Sequence, residues 1–211
     1  MKALVKRVYD IIDLCWLSFS AKVGNSLIQI NKEASMQLQL AYLLKNTCDL
    51  SIYNEDESVR IELETRIVVE GKVKMCDILL HIKKGEKEVL LPIELKCYKT
   101  ISSSGGPRGA QDIFRCELYK DLELLESYER HNENTVLGVQ LTMTDSRNFI
   151  YPKSKNFKSW KYDTSHNTLI KDGILIDTPI GGKPVNMILH KTYLFNWTQV
   201  GDYYFLKLQG K

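Results

Sequence analysis

Glu94 and Lys96 stand two residues apart in Leu90-Leu91-Pro92-Ile93-Glu94-Leu95-Lys96-Cys97, a run that is otherwise apolar. In an extended strand alternate side chains share a face, so these two project together while Ile93, Leu95 and Cys97 point the other way. Charges are costly to bury unless they are paired or hold a metal. The segment is therefore either a structural ion pair or a chemical site. Asp77, in Met75-Cys76-Asp77-Ile78-Leu79-Leu80, supplies the partner that chemistry would need. Asp77 and Glu94 lie nearly equidistant from Gly85, so a hairpin turning there sets two carboxylates at one level of neighbouring strands. Their repulsion at a few Å is on the order of kcal/mol. A divalent cation removes it, and magnesium favours one or two carboxylates with water or phosphate in its other positions.

The elements that must position these residues are readable from periodicity. Leu4, Val8, Ile11, Cys15 and Phe19 recur at helical spacing and predict a first amphipathic helix, with Asp10 and Asp13 arguing against a leader peptide. A second helix is expected over 24–45, with Met36, Leu40, Leu43 and Leu44 on one side. Three β-rich runs follow at 59–70, 73–83 and 87–98, separated by turns at Glu70-Gly71 and at Lys84-Gly85-Glu86. The serine- and glycine-rich segment 99–106 reads as a flexible loop, and Pro107 as the opening of a third helix that ends near Arg130. A strand at 135–144 is continuously apolar at its centre, as a strand covered on both faces would be. Residues 145–167 read as irregular, and the tail returns to β at 168–176, 185–195 and 203–208. The expected fold is α/β (α+β): a mixed central sheet flanked by helices, with additional C-terminal strands. The expected organisation is a helical extension at 1–23, a core at 24–144 and a β-rich extension at 145–211, within one domain.

At 211 residues, 44% hydrophobic and 26% charged, the chain can build a substantial core. A net charge of +3 permits nucleic-acid binding without arguing for it. Cys15, Cys48, Cys76, Cys97 and Cys116 show no CxxC spacing, which argues against zinc and for reduced thiols in a cytoplasmic protein. No apolar window approaches a membrane span.

The pattern Asp77…Glu94-Leu95-Lys96 resembles the signature of the PD-(D/E)xK nuclease superfamily, whose core order, α-β-β-β-α-β, is the one expected here over 24–144. The proline that precedes the Asp in the family pattern is Cys76 in this chain. The resemblance implies a restriction-endonuclease-like fold and magnesium, replaceable by manganese, on Asp77, Glu94 and the Leu95 backbone carbonyl. It assigns Lys96 to orienting or deprotonating the attacking water and Glu33, on the first core helix, to supporting the metal. It also implies hydrolysis of phosphodiester bonds with DNA as the expected partner, in restriction, repair or defence. Gln111 matches a glutamine found in one branch of the superfamily, whereas that branch's tyrosine is replaced by Arg115. A homodimer is compatible, since cutting two strands takes two sites.

Further substrate contacts are expected from Arg108 and Gln111 near a helix start, where phosphates bind readily. Lys153, Lys155 and Lys158, interleaved with Tyr151, Phe157 and Trp160, suit a nucleic-acid backbone. Each residue has a structural alternative. Asp77 could pair with Lys74, Glu94 with Lys96, Glu33 could be a solvated first-turn acid, and the lysines a solvated loop. The alternative functions are a catalytically silent nucleic-acid-binding or assembly module, or an unrelated α/β protein.

Overall fold

A computed structural model describes residues 1–102 and 105–211. The expected flexible loop at 99–106 falls partly on Ser103 and Ser104, outside the described residues.

The N-terminal helix α1 (Lys2–Gly24) buries Leu4, Val8, Ile12, Cys15, Phe19 and Val23, the face its periodicity predicts. The second helix, α2 (Glu33–Thr47), begins nine residues later than the sequence suggests. Its start is set by Ser35, whose hydroxyl accepts from the Asn31 and Lys32 amides and so satisfies N–H groups that a helix start leaves open. Strands β1 (Glu57–Val69), β2 (Lys72–Lys84) and β3 (Lys87–Tyr98) form the expected antiparallel meander, with turns at Gly71 and Gly85 in left-handed backbone. The third helix, α3, spans Gln111–His131 rather than opening at Pro107, which instead bridges Ile101. It carries the chain over to β4 (Val139–Thr144), which pairs parallel to β3. A parallel pair requires such a crossover.

After β4 come the single-turn α4 (Arg147–Ile150) and the two-residue strand β5 (Leu169–Ile170). They are followed by β6 (Ile174–Ile176), β7 (Met187–Leu189), β8 (Tyr193–Leu194), β9 (Thr198–Val200) and β10 (Tyr203–Leu208). The six-stranded mixed sheet runs β1-β2-β3-β4-β10-β9, so the last strand extends the central sheet rather than forming a separate layer. The two long strands expected at 168–176 and 185–195 are each broken in two. Their pieces make two small ladders, β5–β8 and β6–β7.

Helices α1 and α2 cover one face of the sheet, where Ile78, Leu80, Ile93, Leu95, Leu141 and Met143 meet Phe19, Met36 and Leu40. Helix α3 covers the other face together with residues of 145–211. This second core holds Tyr98, Leu118, Tyr119, Phe149, Tyr162, Phe195 and Leu206, so the stretch expected to be irregular and polar supplies buried aromatics. Close packing has one conspicuous requirement: a Cβ at Gly138 would lie 2.4 Å from Leu125 Cδ2 and 2.7 Å from the Pro92 carbonyl, so only glycine admits α3 this close to β3. All five cysteines are buried free thiols. Among the described residues no helix is long and apolar enough to cross a membrane.

Candidate active site

The site lies where the sheet forks. The β2–β3 ladder starts at the turn and stops at Ile78–Ile93, while β3 continues beside β4 through Tyr98. Past the fork, β3 amides that would have faced β2 need other partners, because an unpaired buried N–H costs about as much as a lost hydrogen bond. Two carboxylates supply them. Leu95 N–H donates to Asp77 Oδ2 at 2.7 Å, and Cys97 N–H donates to Glu33 Oε2 at 3.0 Å. In an extended strand a residue's N–H and C=O face the same edge, so the Leu95 carbonyl is turned toward the same fork.

The register that pairs Ile78 with Ile93 brings Asp77 level with Glu94, and their carboxyl groups lie within hydrogen-bonding reach of each other. Glu94 is only 4% exposed, and Tyr128 on α3 donates its hydroxyl to Glu94 Oε1 at 3.1 Å. Burial pushes the Glu94 carboxyl well above the usual range, and the nearby carboxylates of Asp121 and Asp77 add to this. Burial also raises Asp77 and Glu33, although each is bonded to a backbone amide and faces Lys96.

Lys96 pairs with neither Glu94 nor Asp77. Its ammonium lies 3.3 Å from Asp121 Oδ2 and 3.9 Å from Glu33 Oε2. Burial by itself would lower the ammonium, but Asp121, Glu33 and Glu117 outweigh it and hold Lys96 above its ordinary value. In the metal-free protein this lysine is therefore charged, the form that can orient water or donate a hydrogen bond. The expected alternative of a Lys74–Asp77 ion pair does not occur among the described residues.

Besides Tyr128 and Glu117, three participants on α3 and β4 escaped the sequence reading. Asp121 is the first: its side chain is 14% exposed, and burial, reinforced by Asp77 and Glu33, pushes its carboxyl up to about 8 against the pull of Lys96. It lies four residues after Glu117 and seven before Tyr128, one helical stripe. An acid on the core-facing stripe of an amphipathic helix was the available signal. Gln140 and Thr142, the other two, stand in parallel register with Glu94 and Lys96 on fully buried β4. Gln140 donates its amide to Thr142, and Gln140 Oε1 is buried without a partner among the described residues. Polar residues alternating at period two inside an apolar strand were that signal. Glu64 also belongs to this level: it sits at φ 49 beside Asp77, and Gln37 donates to both Glu64 Oε1 and the Asp77 carbonyl at 2.8 Å.

Among the described residues no three His, Cys, Asp or Glu side chains converge on a metal-sized position. What the fork offers is two adjacent carboxylates that repel, the donor set magnesium accepts when water or phosphate completes its shell.

A cleft of about 540 Å³ reaches Asp121 between the β1–β2 turn, α3 and the segment before β7, and Lys72, Lys74, Lys120 and Arg130 line it along with Glu70 and Glu123. The expected substrate residues fare unevenly. Gln111 and Lys153 line a second cavity together. Lys158 is exposed on a single 3-10 turn, Lys158–Lys161. Lys155 is instead committed to Asp163 at 2.6 Å and Ser165 at 2.7 Å, because a flexible ammonium beside a carboxylate and a hydroxyl is satisfied locally. Arg108 donates to the Cys97 carbonyl at 3.3 Å and covers the Tyr98 ring, which closes the end of β3. The described residues of the loop after β3 are held by hydrogen bonds, Thr100 N–H to Asp145 at 2.6 Å and Arg108 N–H to the Thr100 carbonyl at 2.8 Å.

Comparisons with protein-family models, curated proteins and solved structures find no match to this chain.

Proposed function

We propose that this chain is a metal-dependent nuclease of the restriction-endonuclease-like type, hydrolysing phosphodiester bonds with DNA as its substrate. The observation that carries the reading is the fork, where Asp77 and Glu94 come within reach of each other beside a lysine held charged by a second acid set. A strand order of two covering helices, a three-stranded meander, a crossover helix and a parallel fourth strand supports the same reading.

Asp77 and Glu94 are the residues that would hold magnesium, with manganese as a substitute. When bound, the ion would neutralise charge on the scissile phosphate and acidify water. The chain's own groups do the rest. Tyr128 fixes one Glu94 oxygen and the Leu95 amide fixes one Asp77 oxygen, leaving the other oxygen of each carboxyl directed by these anchors. Lys96 supplies a fixed positive charge that orients the nucleophile and stabilises negative charge developing on phosphate, and Asp121 and Glu33 hold it there. The basic residues of the cleft beside Asp121 would favour a polyanion.

The test is incubation of the protein with single- and double-stranded DNA and RNA across magnesium and manganese concentrations, beside Asp77→Asn and Glu94→Gln. Cleavage that needs metal and disappears in both variants is the expected result. No cleavage of any form, together with no metal-induced rise in thermal midpoint, would refute it. Salt-dependent binding without turnover would transfer the conclusion to a binding module.

A further inference from the structure

Arg115 is 3% exposed, yet its guanidinium Nε and Nη2 find no hydrogen-bond partner among the described residues. Its guanidinium carbon lies over two rings, 4.7 Å from the Phe149 centroid and 3.9 Å from that of Trp160. Stacking satisfies the faces of a guanidinium but none of its five N–H donors, which project in the plane and match the oxygens of a phosphate or carboxylate. Arg115 lines a cavity of about 430 Å³ with Lys153, Gln111 and Asp112, a volume within the range of small-ligand sites.

The same cavity receives the start of α3. That helix is 21 residues long, and its N-cap, Ala110, makes no side-chain cap hydrogen bond. Its first amides therefore lack the side-chain acceptor that usually covers them, and the helix dipole adds partial positive charge. Arg115 and Lys153 oppose one carboxylate, Asp112; the nearby Asp163 is bound by Lys155 and Ser165. The site also falls outside the carboxyl ends of the parallel strands β3 and β4, where α/β sheets receive ligands. Tyr98 ends β3 two residues beyond Lys96, roughly 7 Å along a strand, and the Phe149 ring lies against both Tyr98 and Arg115.

We infer that Arg115 and Lys153 form a phosphate pocket at the N-terminus of α3 that takes the terminal phosphate of a nucleic-acid strand. The recess selects the terminal group. A terminal phosphate has one side free of sugar, so it needs less room than an internal one to approach a guanidinium that is 3% exposed, and it carries more charge. Burial lowers the Arg115 guanidinium only to about 10, so it stays charged at neutral pH. The strand as the carrier of that phosphate rests on the nuclease reading; the pocket does not.

The test is calorimetric titration of the metal-free protein, in chelator, with one oligonucleotide sequence bearing either a phosphate or a hydroxyl at a given end, and with inorganic phosphate. The phosphorylated strand is expected to bind at least tenfold more tightly than its hydroxyl counterpart and far more tightly than inorganic phosphate. Arg115→Gln should abolish that preference and Lys153→Gln should remove most of it. Lys153 is exposed, so its variant decides the matter if Arg115→Gln does not fold. Equal affinities for the two ends at both termini of the oligonucleotide, or a preference untouched in Lys153→Gln, overturns the pocket. Inorganic phosphate binding as tightly as the strand overturns the strand as carrier. An end preference that persists in a wild type without metal-dependent cleavage refutes the nuclease reading and leaves the pocket standing; cleavage without end preference does the reverse.

Discussion

Replacing Asp121 by asparagine should stabilise the metal-free protein at neutral pH, and by an amount that depends on pH in a defined way. The folded carboxyl titrates near 8 against an ordinary 3.8. A raised folded value means that the folded state binds the proton more tightly than the unfolded chain does. The corresponding stability is fully present below pH 4 and is lost as pH rises through the window from about 4 to about 8. Within that window each pH unit costs about 1.4 kcal/mol. From pH 4 to pH 7 the ceiling is thus about 4 kcal/mol, a large part of the total stability of a typical domain. Asparagine has nearly the shape of the protonated acid and cannot ionise, so it escapes that loss while keeping an oxygen for the Lys96 ammonium at its present 3.3 Å. Urea denaturation in chelator at pH 4, 5, 6, 7 and 8 measures the difference between variant and wild type. It should be near zero at pH 4, grow by up to about 1.4 kcal/mol per unit, and level off near pH 8. A variant that is less stable than wild type at pH 7, or whose difference does not vary with pH, would show that the pull of Lys96 outweighs burial at Asp121 and that its carboxyl is not raised.

The raised carboxyls of Glu94, Asp77 and Glu33 act in the same direction as Asp121. Wild-type thermal stability in chelator should therefore fall as pH rises from 5 to 8, and magnesium should restore it with an affinity that increases with pH, since binding must displace protons; a flat thermal profile in chelator contradicts this. Lys96→Gln should cut turnover by about 10²–10³-fold, as loss of a preorganised donor does, with little change in calorimetric magnesium affinity. Because Lys96 is held protonated, the wild-type rate should show no limb near neutrality from a lysine losing its proton, and a limb that disappears in Lys96→Gln would count against this. Gly138→Ala should destabilise by about 1–3 kcal/mol or more through overpacking, since its Cβ would meet Leu125 Cδ2 at 2.4 Å and the Pro92 carbonyl at 2.7 Å; chemical denaturation measures it, and a neutral result would mean α3 can shift outward.

Local patterns carried much of this molecule. The meander was legible because apolar runs of strand length are separated by turn glycines, and the bounds of β3 and β10 follow directly. The level of Asp77 against Glu94 followed from counting residues about Gly85, since register in a hairpin is set by its turn. Helix starts were less legible. Glu33 and Gln111 open their helices later than the apolar pattern suggests, because side-chain and backbone hydrogen bonds, not hydrophobicity, decide where a helix begins.

The sequence by itself determined that an acid and a base occupy an apolar strand and that a second acid lies level with them on its neighbour. Those are consequences of period and turn position, which act within a few residues. Only the tertiary structure decided what these groups do to one another. Asp121, Gln140 and Thr142 reach the site through a crossover helix and a parallel strand, and contacts that distant in sequence leave no local pattern. The fork explains Glu33 and Asp77 as partners for stranded amides. Enclosure in the second core turned Arg115 from a departure in a motif into a buried cation with unused donors. The reason is physical: burial and the sum of nearby charges set ionisation and binding, and both are properties of the folded whole.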